Sequence, residues 1–177
     1  MKRATFPLLV ILILAAIVAT TSTSAAIVPE HGPSAFGAGQ FRFPSQSGDR
    51  IEFWRFSFEA IANKNGHTRG RAQFDNLTTQ TQVVVRLNCL RIVEGLFAPR
   101  AVISGTVLNS NDPDLPKLQD VLFAASDGPL LPSSTSDTIT PLFPLFPFDG
   151  QPVNCQDVEP LTILGVEDGD IDRKSVV

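Results

Sequence analysis

From residue 40 onward, apolar and polar positions alternate with period two. The run 51–62, IEFWRFSFEAIA, puts Trp54, Phe56, Phe58 and Ala60 on one face and Arg55, Ser57 and Glu59 on the other. Successive side chains of a strand point to opposite sides, so this pattern predicts a strand with one buried face. NKNG follows, and Asn65-Gly66 predicts a tight turn because both residue types tolerate positive φ. The return run 67–75 sets Thr68, Gly70, Ala72 and Phe74 against His67, Arg69, Arg71, Gln73 and Asp75. Together the two runs predict a β-hairpin.

Further strands are expected at 40–44, 81–95, 101–108, 118–127 and 138–143, with one or two more in LTILGV and GDIDRKSV. In 81–95, Val83, Val85, Leu87 and Cys89 share a face, which Arg91 would continue. No long stretch carries an apolar stripe at the helical period of 3.6 residues. Roughly eight short strands separated by turn signals predict one all-β domain, an antiparallel β-sandwich or small barrel.

The first residues follow a different pattern. Met1-Lys2-Arg3 is basic, 6–19 is uncharged and apolar, and TTSTSAA is small and polar. That is the layout of a secretory signal peptide cleaved after Ala25 or Ala26. The apolar run has about 14 residues against the ~20 of a membrane span, and no later run suffices to cross a bilayer. No cysteine at the junction offers a lipid attachment point. The expected organisation is a signal peptide at 1–26, a flexible Gly/Pro/Ala-rich lead-in at 27–39 and a β-rich domain at 40–177, secreted or periplasmic. Export with loss of Lys2 and Arg3 would leave 12 basic against 18 acidic residues, a formal charge of −6. With no basic patch, that balance argues against nucleic acid as a partner.

Cys89 and Cys155 are the only cysteines. In an oxidising compartment an isolated pair is most simply one disulfide. The rival readings are metal ligation and a nucleophilic thiol. With only His31 and His67 available, a zinc site is poorly supplied.

VRLNCLRIV, then AVISGTVLNSNDPDLPKLQDVLFAASDG, then a Pro-rich loop and ITPLFP resemble a family of uncharacterised secreted bacterial β-rich domains. In that family a Cys-bearing strand precedes an SGTV strand, an ND-P-x-LP loop and a DVLFA strand, with a second Cys downstream. The likeness spans about 86–155, with the hairpin at 65–73 in support. AASDG departs from it, standing where the family has a Val and an Asn before the Gly. The resemblance implies a β-rich fold and export, and brings no activity with it.

Candidate chemistry is sparse. Asn109, Asn111, Asp112 and Asp114 are the best calcium candidates, since calcium takes six to eight oxygen ligands. The same residue types are selected by turns, and turning is the leading reading here. Asp168, Asp170 and Asp172 alternate and so fall on one solvent face of a strand, with Ile171 inward. His67 is expected as an exposed strand residue. Glu52 and Glu59 are conceivable as a hydrolase dyad. Trp54 and its neighbouring phenylalanines form either core or a sugar-stacking platform, core being favoured. PLFPLFPF (141–148) suits polyproline II. Its phenylalanines are expected to cover one open end of the domain rather than to serve a partner's groove. Asn76-Leu77-Thr78 fits a glycosylation sequon.

No catalytic residue and no cofactor stands out. The expected function is a non-catalytic exported module with a protein or glycan partner at the cell surface. The rivals are a small hydrolase whose carboxylates converge from different strands and an enzyme inhibitor presenting the loop 128–137.

Overall fold

The computed structural model describes residues 31–45, 47–94, 99–128, 137–147, 154–157 and 164–174. The expected signal peptide therefore lies outside the described residues. No described helix is long and apolar enough to cross a membrane.

Ten strands are described: β1 His31–Pro44, β2 Ile51–Asn63, β3 Thr68–Asn76, β4 Thr81–Val93, β5 Arg100–Ser110, β6 Asp120–Ser126, β7 Thr138–Ile139, β8 Phe143–Pro144, β9 Leu164–Gly165 and β10 Asp168–Lys174. Nine of them form one sheet in the order β10-β1-β2-β3-β4-β5-β6-β7-β9, and β8 pairs with β6 beside β7. Every pairing is antiparallel. The all-β, antiparallel expectation holds. The finer expectation does not, because a single sheet curls into a half-barrel in place of a two-sheet sandwich or a closed eight-stranded barrel. Alternation reports only that one face of each strand is buried, and a curling sheet buries that face as well as a stacked pair does.

The curl is visible in the aromatic core. β2 and β6 are four places apart in the sheet, about 19 Å if it were flat. Yet the Phe58 and Phe123 rings lie 5.3 Å apart, and Phe74 lies 5.2 Å from Phe123, both edge to face. Phe41, Phe56, Phe74, Phe123, Val85, Leu87, Ile103 and Ile171 fill this concave side. On the convex side of β5 and β6, Val102, Leu122 and Ala124 pack under Leu145 and Cys155. β5 and β6 are therefore buried on both faces.

Residues 31–39, expected in the loose lead-in, are the first part of β1. Their glycines allow close packing: a Cβ at Gly37 would strike the Phe58 ring, and one at Gly39 would strike the Asp168 carbonyl oxygen and Val166. The hairpin turn also differs from the expectation. Gly66 N donates to Asn63 O at 2.9 Å, the Asn63 side chain accepts from the amides of Asn65 and His67, and only Gly66 has positive φ, at 81°. It is a four-residue turn, Asn63 to Gly66, that ends in a left-handed glycine, not a two-residue turn with both residues left-handed.

Cys89 does not share the face of Val83, Val85 and Leu87. The β4–β5 register shifts between Leu87 and Cys89, so Leu90 turns into the concave core while Cys89 packs against the convex cluster. One extra residue in a strand exchanges the faces of everything after it. The bulge brings Cys89 to Cys155, and the two form a disulfide with Cα atoms 5.9 Å apart. Arg91 Nε donates to Cys155 O at 2.7 Å, and Cys155 N donates to the buried Ser104 hydroxyl at 3.2 Å.

The predicted strand at 138–143 is split. β7 and β8 both run along β6, interrupted where Pro141 offers no N–H and Thr140 exchanges hydrogen bonds with Ala124 through its backbone and its hydroxyl. The segment 164–174 then supplies both edges of the sheet, with β9 on β7 and β10 on β1. Asp137 holds it there. Its carbonyl accepts from Val166 N, and its carboxylate oxygens accept from Ile171 N and Gly128 N, all at 2.8–2.9 Å.

Replacing both cysteines by Ala is expected to cost about 2–4 kcal/mol in urea unfolding, since the bond closes a separation of 66 residues. Asp137→Ala is expected to cost about 1–3 kcal/mol in the same measurement, because it strips the amides of Ile171 on β10 and Gly128 after β6 of their acceptor.

Candidate functional site

At one end of the half-barrel the register lines up the end of β1, the start of β2, the end of β3 and the start of β4. Phe43 faces Glu52 across the ladder, Phe41 faces Trp54, Trp54 faces Asn76, and Asn76 faces Thr81. The loop after β5 and the segment around β8 reach the same end, leaving a cavity of about 780 Å³ between them. Its walls are largely aromatic and aliphatic: Phe41, Phe43, Trp54, Phe74, Leu115 and Leu142. Phe146, 70% exposed, stands at the mouth.

Trp54 is half-buried, with its indole stacked on Phe41 at 6.3 Å and 6°. Its Nε1–H is buried, and no described residue accepts from it. A buried donor without an acceptor carries a desolvation cost.

Glu52 is the buried charge of the site. Asn76 Nδ2 donates to Oε2 at 2.6 Å, and Arg50 donates to Oε1 through Nε and Nη2 at 3.3 and 3.2 Å. Asn76 Oδ1 accepts from the amides of Thr78 and Thr79 and so shapes the β3–β4 turn. The sequon asparagine is thus buried and committed to the fold. Near the rim, hydrogen bonds from the Ser45 and Ser47 hydroxyls hold the Asp49 carboxyl below its ordinary value.

The calcium candidates act first as turn residues. Asp112 Oδ1 accepts from Asp114 N at 3.0 Å, Asn111 Oδ1 accepts from Gln82 N, and Asn111 Nδ2 donates to Gln80 O. Asn109 is exposed on β5. Among the described residues, no three His, Cys, Asp or Glu side chains gather as a metal-ligand group. Asp112 and Asp114 do line the cavity. Glu52 and Glu59 part company: seven positions along one strand place them on opposite faces, with Glu52 buried and Glu59 exposed. His67 is exposed, as expected, but stands just before β3 and not on the strand. Asp168 and Asp170 are exposed and Ile171 is buried inward, while the Asp172 side chain lies outside the described residues, as do 129–136 of the suggested inhibitor loop.

Trp54, Glu52, Asp112, Asp114 and 141–146 thus enter the sequence reading as unrelated features and surround one cavity in the fold. Arg50, and Asn76 as partner to Glu52, are new to the site. Neither carries a local signal, since each is defined by what it meets across the sheet.

A second concavity, of about 430 Å³, lies on the convex face beside Gln40, Arg55, Gln73, Asp75 and Asp168. Burial pushes the Asp75 carboxyl up, but hydrogen bonds from Gln82, Arg55 and Gln73 and the Arg55 charge outweigh it and hold it below its ordinary value. These partners spend its acceptor capacity within the sheet. No family model, curated protein or solved structure matches the chain.

Because the folded value for Asp75 lies below the unfolded one, its stabilisation is complete above about pH 4 and fades as pH falls through the folded value. Wild-type unfolding free energy should therefore drop more steeply than that of Asp75→Asn between about pH 5 and pH 2. Parallel slopes would contradict this.

Proposed function

We propose that this is a non-catalytic exported binding domain whose ligand seat is the aromatic cavity at the open end of the half-barrel. The observation that carries this reading is the cavity itself. Its volume falls in the range of about 300–1,000 Å³ usual for small-molecule sites, and its apolar walls surround a few convergent polar groups. Export is supported by the signal-like first residues and by the disulfide, which persists in oxidising compartments. Membership of the uncharacterised secreted bacterial family rests on the SGTV, NDPDLP and DVLFA motifs alone.

A carboxylate hydrolase is the second reading, favoured by Glu52, Asp112 and Asp114 lining the same cavity. Both oxygens of Glu52 are engaged by Asn76 and Arg50, a structural use that weighs against it.

Trp54 is the single tryptophan and the chain has no tyrosine, so its emission reports directly on the cavity. Titration with 1-decanol is expected to change that emission saturably, and Phe146→Ala to weaken the response several-fold while leaving the melting temperature in place. Unchanged emission up to the solubility limit would refute the binding seat. Turnover of ester or glycoside substrates that is lost in Glu52→Gln would establish the hydrolase instead.

A further inference from the structure

The charges around the cavity select among apolar ligands. Glu52, Asp112 and Asp114 line it with carboxylates, and among the described residues Arg50 is the only basic one on its wall. Arg50 is already spent, since its guanidinium donates twice to Glu52 Oε1. Asp112 and Asp114 take no ion-pair partner among the described residues. Of the two, Asp114 is exposed and Asp112 half-buried, both on the loop that forms one lip. Behind that lip stand Trp54, Phe41, Phe43 and Phe74, whose ring faces carry the negative side of an aromatic quadrupole.

Aromatic faces and unpaired carboxylates both attract cations and both disfavour anions. We infer that the cavity takes an organic cation: an alkyl or aryl body seated among the phenylalanines, with an ammonium head at the acidic lip formed by Asp112 and Asp114. A fatty-acid anion of the same length would bring like charge to the same lip. This inference rests on the binding seat proposed above and adds the charge of its occupant.

The test is a matched series read by Trp54 emission: decyltrimethylammonium, 1-decanol and decanoate, each kept below its aggregation concentration at neutral pH and low salt. Decyltrimethylammonium is expected to bind at least tenfold more tightly than decanoate, with 1-decanol between them. In Asp112→Asn/Asp114→Asn the side-chain oxygens that shape the turn remain and the charges go. There the preference for the ammonium over 1-decanol should fall several-fold. Decanoate binding as tightly as the ammonium overturns the inference, as does a preference that the double variant leaves unchanged; in both cases the binding seat stands. If none of the three alters Trp54 emission, the binding seat itself is refuted and the inference falls with it.

Discussion

A curled sheet has two edges, and here both are held at one residue. Asp137 gives its backbone oxygen to Val166 and its carboxylate to Ile171 and Gly128, at the point where the chain passes from β9 on one edge to β10 on the other. Exposed edges invite pairing with other chains. Running one segment along both edges occupies them with the domain's own strands. It also draws β1 toward β7, which gives the concave face something to pack against: the other half of the same sheet. Phe58, Phe74 and Phe123 meet in that space.

The cavity follows from the same geometry. A half-barrel filled by phenylalanines in its middle must end somewhere, and at the end near Phe43, Glu52, Asn76 and Thr81 the filling stops short. The chain after β6 could have plugged it. Instead, Pro141 breaks the strand that runs along β6, Leu145 turns to the convex cluster, and Phe146 is left at the mouth. On the far side of the sheet the disulfide fixes 154–157 over β5 and β6, whereas the cavity is lined from β1 to β4, the loop after β5 and the segment around β8.

Much of this fold is legible in the sequence, and what is not has physical causes. The β2–β3 hairpin can be read from alternation and from Asn63-Lys64-Asn65-Gly66, because both are local. β1 is hidden because Gly37 and Gly39, which look like loop residues, make room for the Phe58 ring and the Asp168 carbonyl, neighbours that no local window contains. The bulge after Leu87 leaves no mark in the alternation, so Cys89 reads as a core residue until the register is known. Curl and stacking give the same period-two pattern. For the site, Trp54, Glu52, Asp112 and Asp114 are each noticeable as residues, but their meeting depends on the β1–β4 register and on the path of 141–146.

The central claim is that the open end of the half-barrel is a seat for a small molecule. Amide and side-chain NMR shifts of the isotope-labelled domain, recorded as decyltrimethylammonium is added, test it most directly. The account predicts saturable shifts concentrated at Phe41, Trp54, Asn76, Asp112 and Leu115, with the Trp54 indole N–H among the largest. Shifts confined to the convex face around Arg55 and Asp75, or none that saturate, would contradict it.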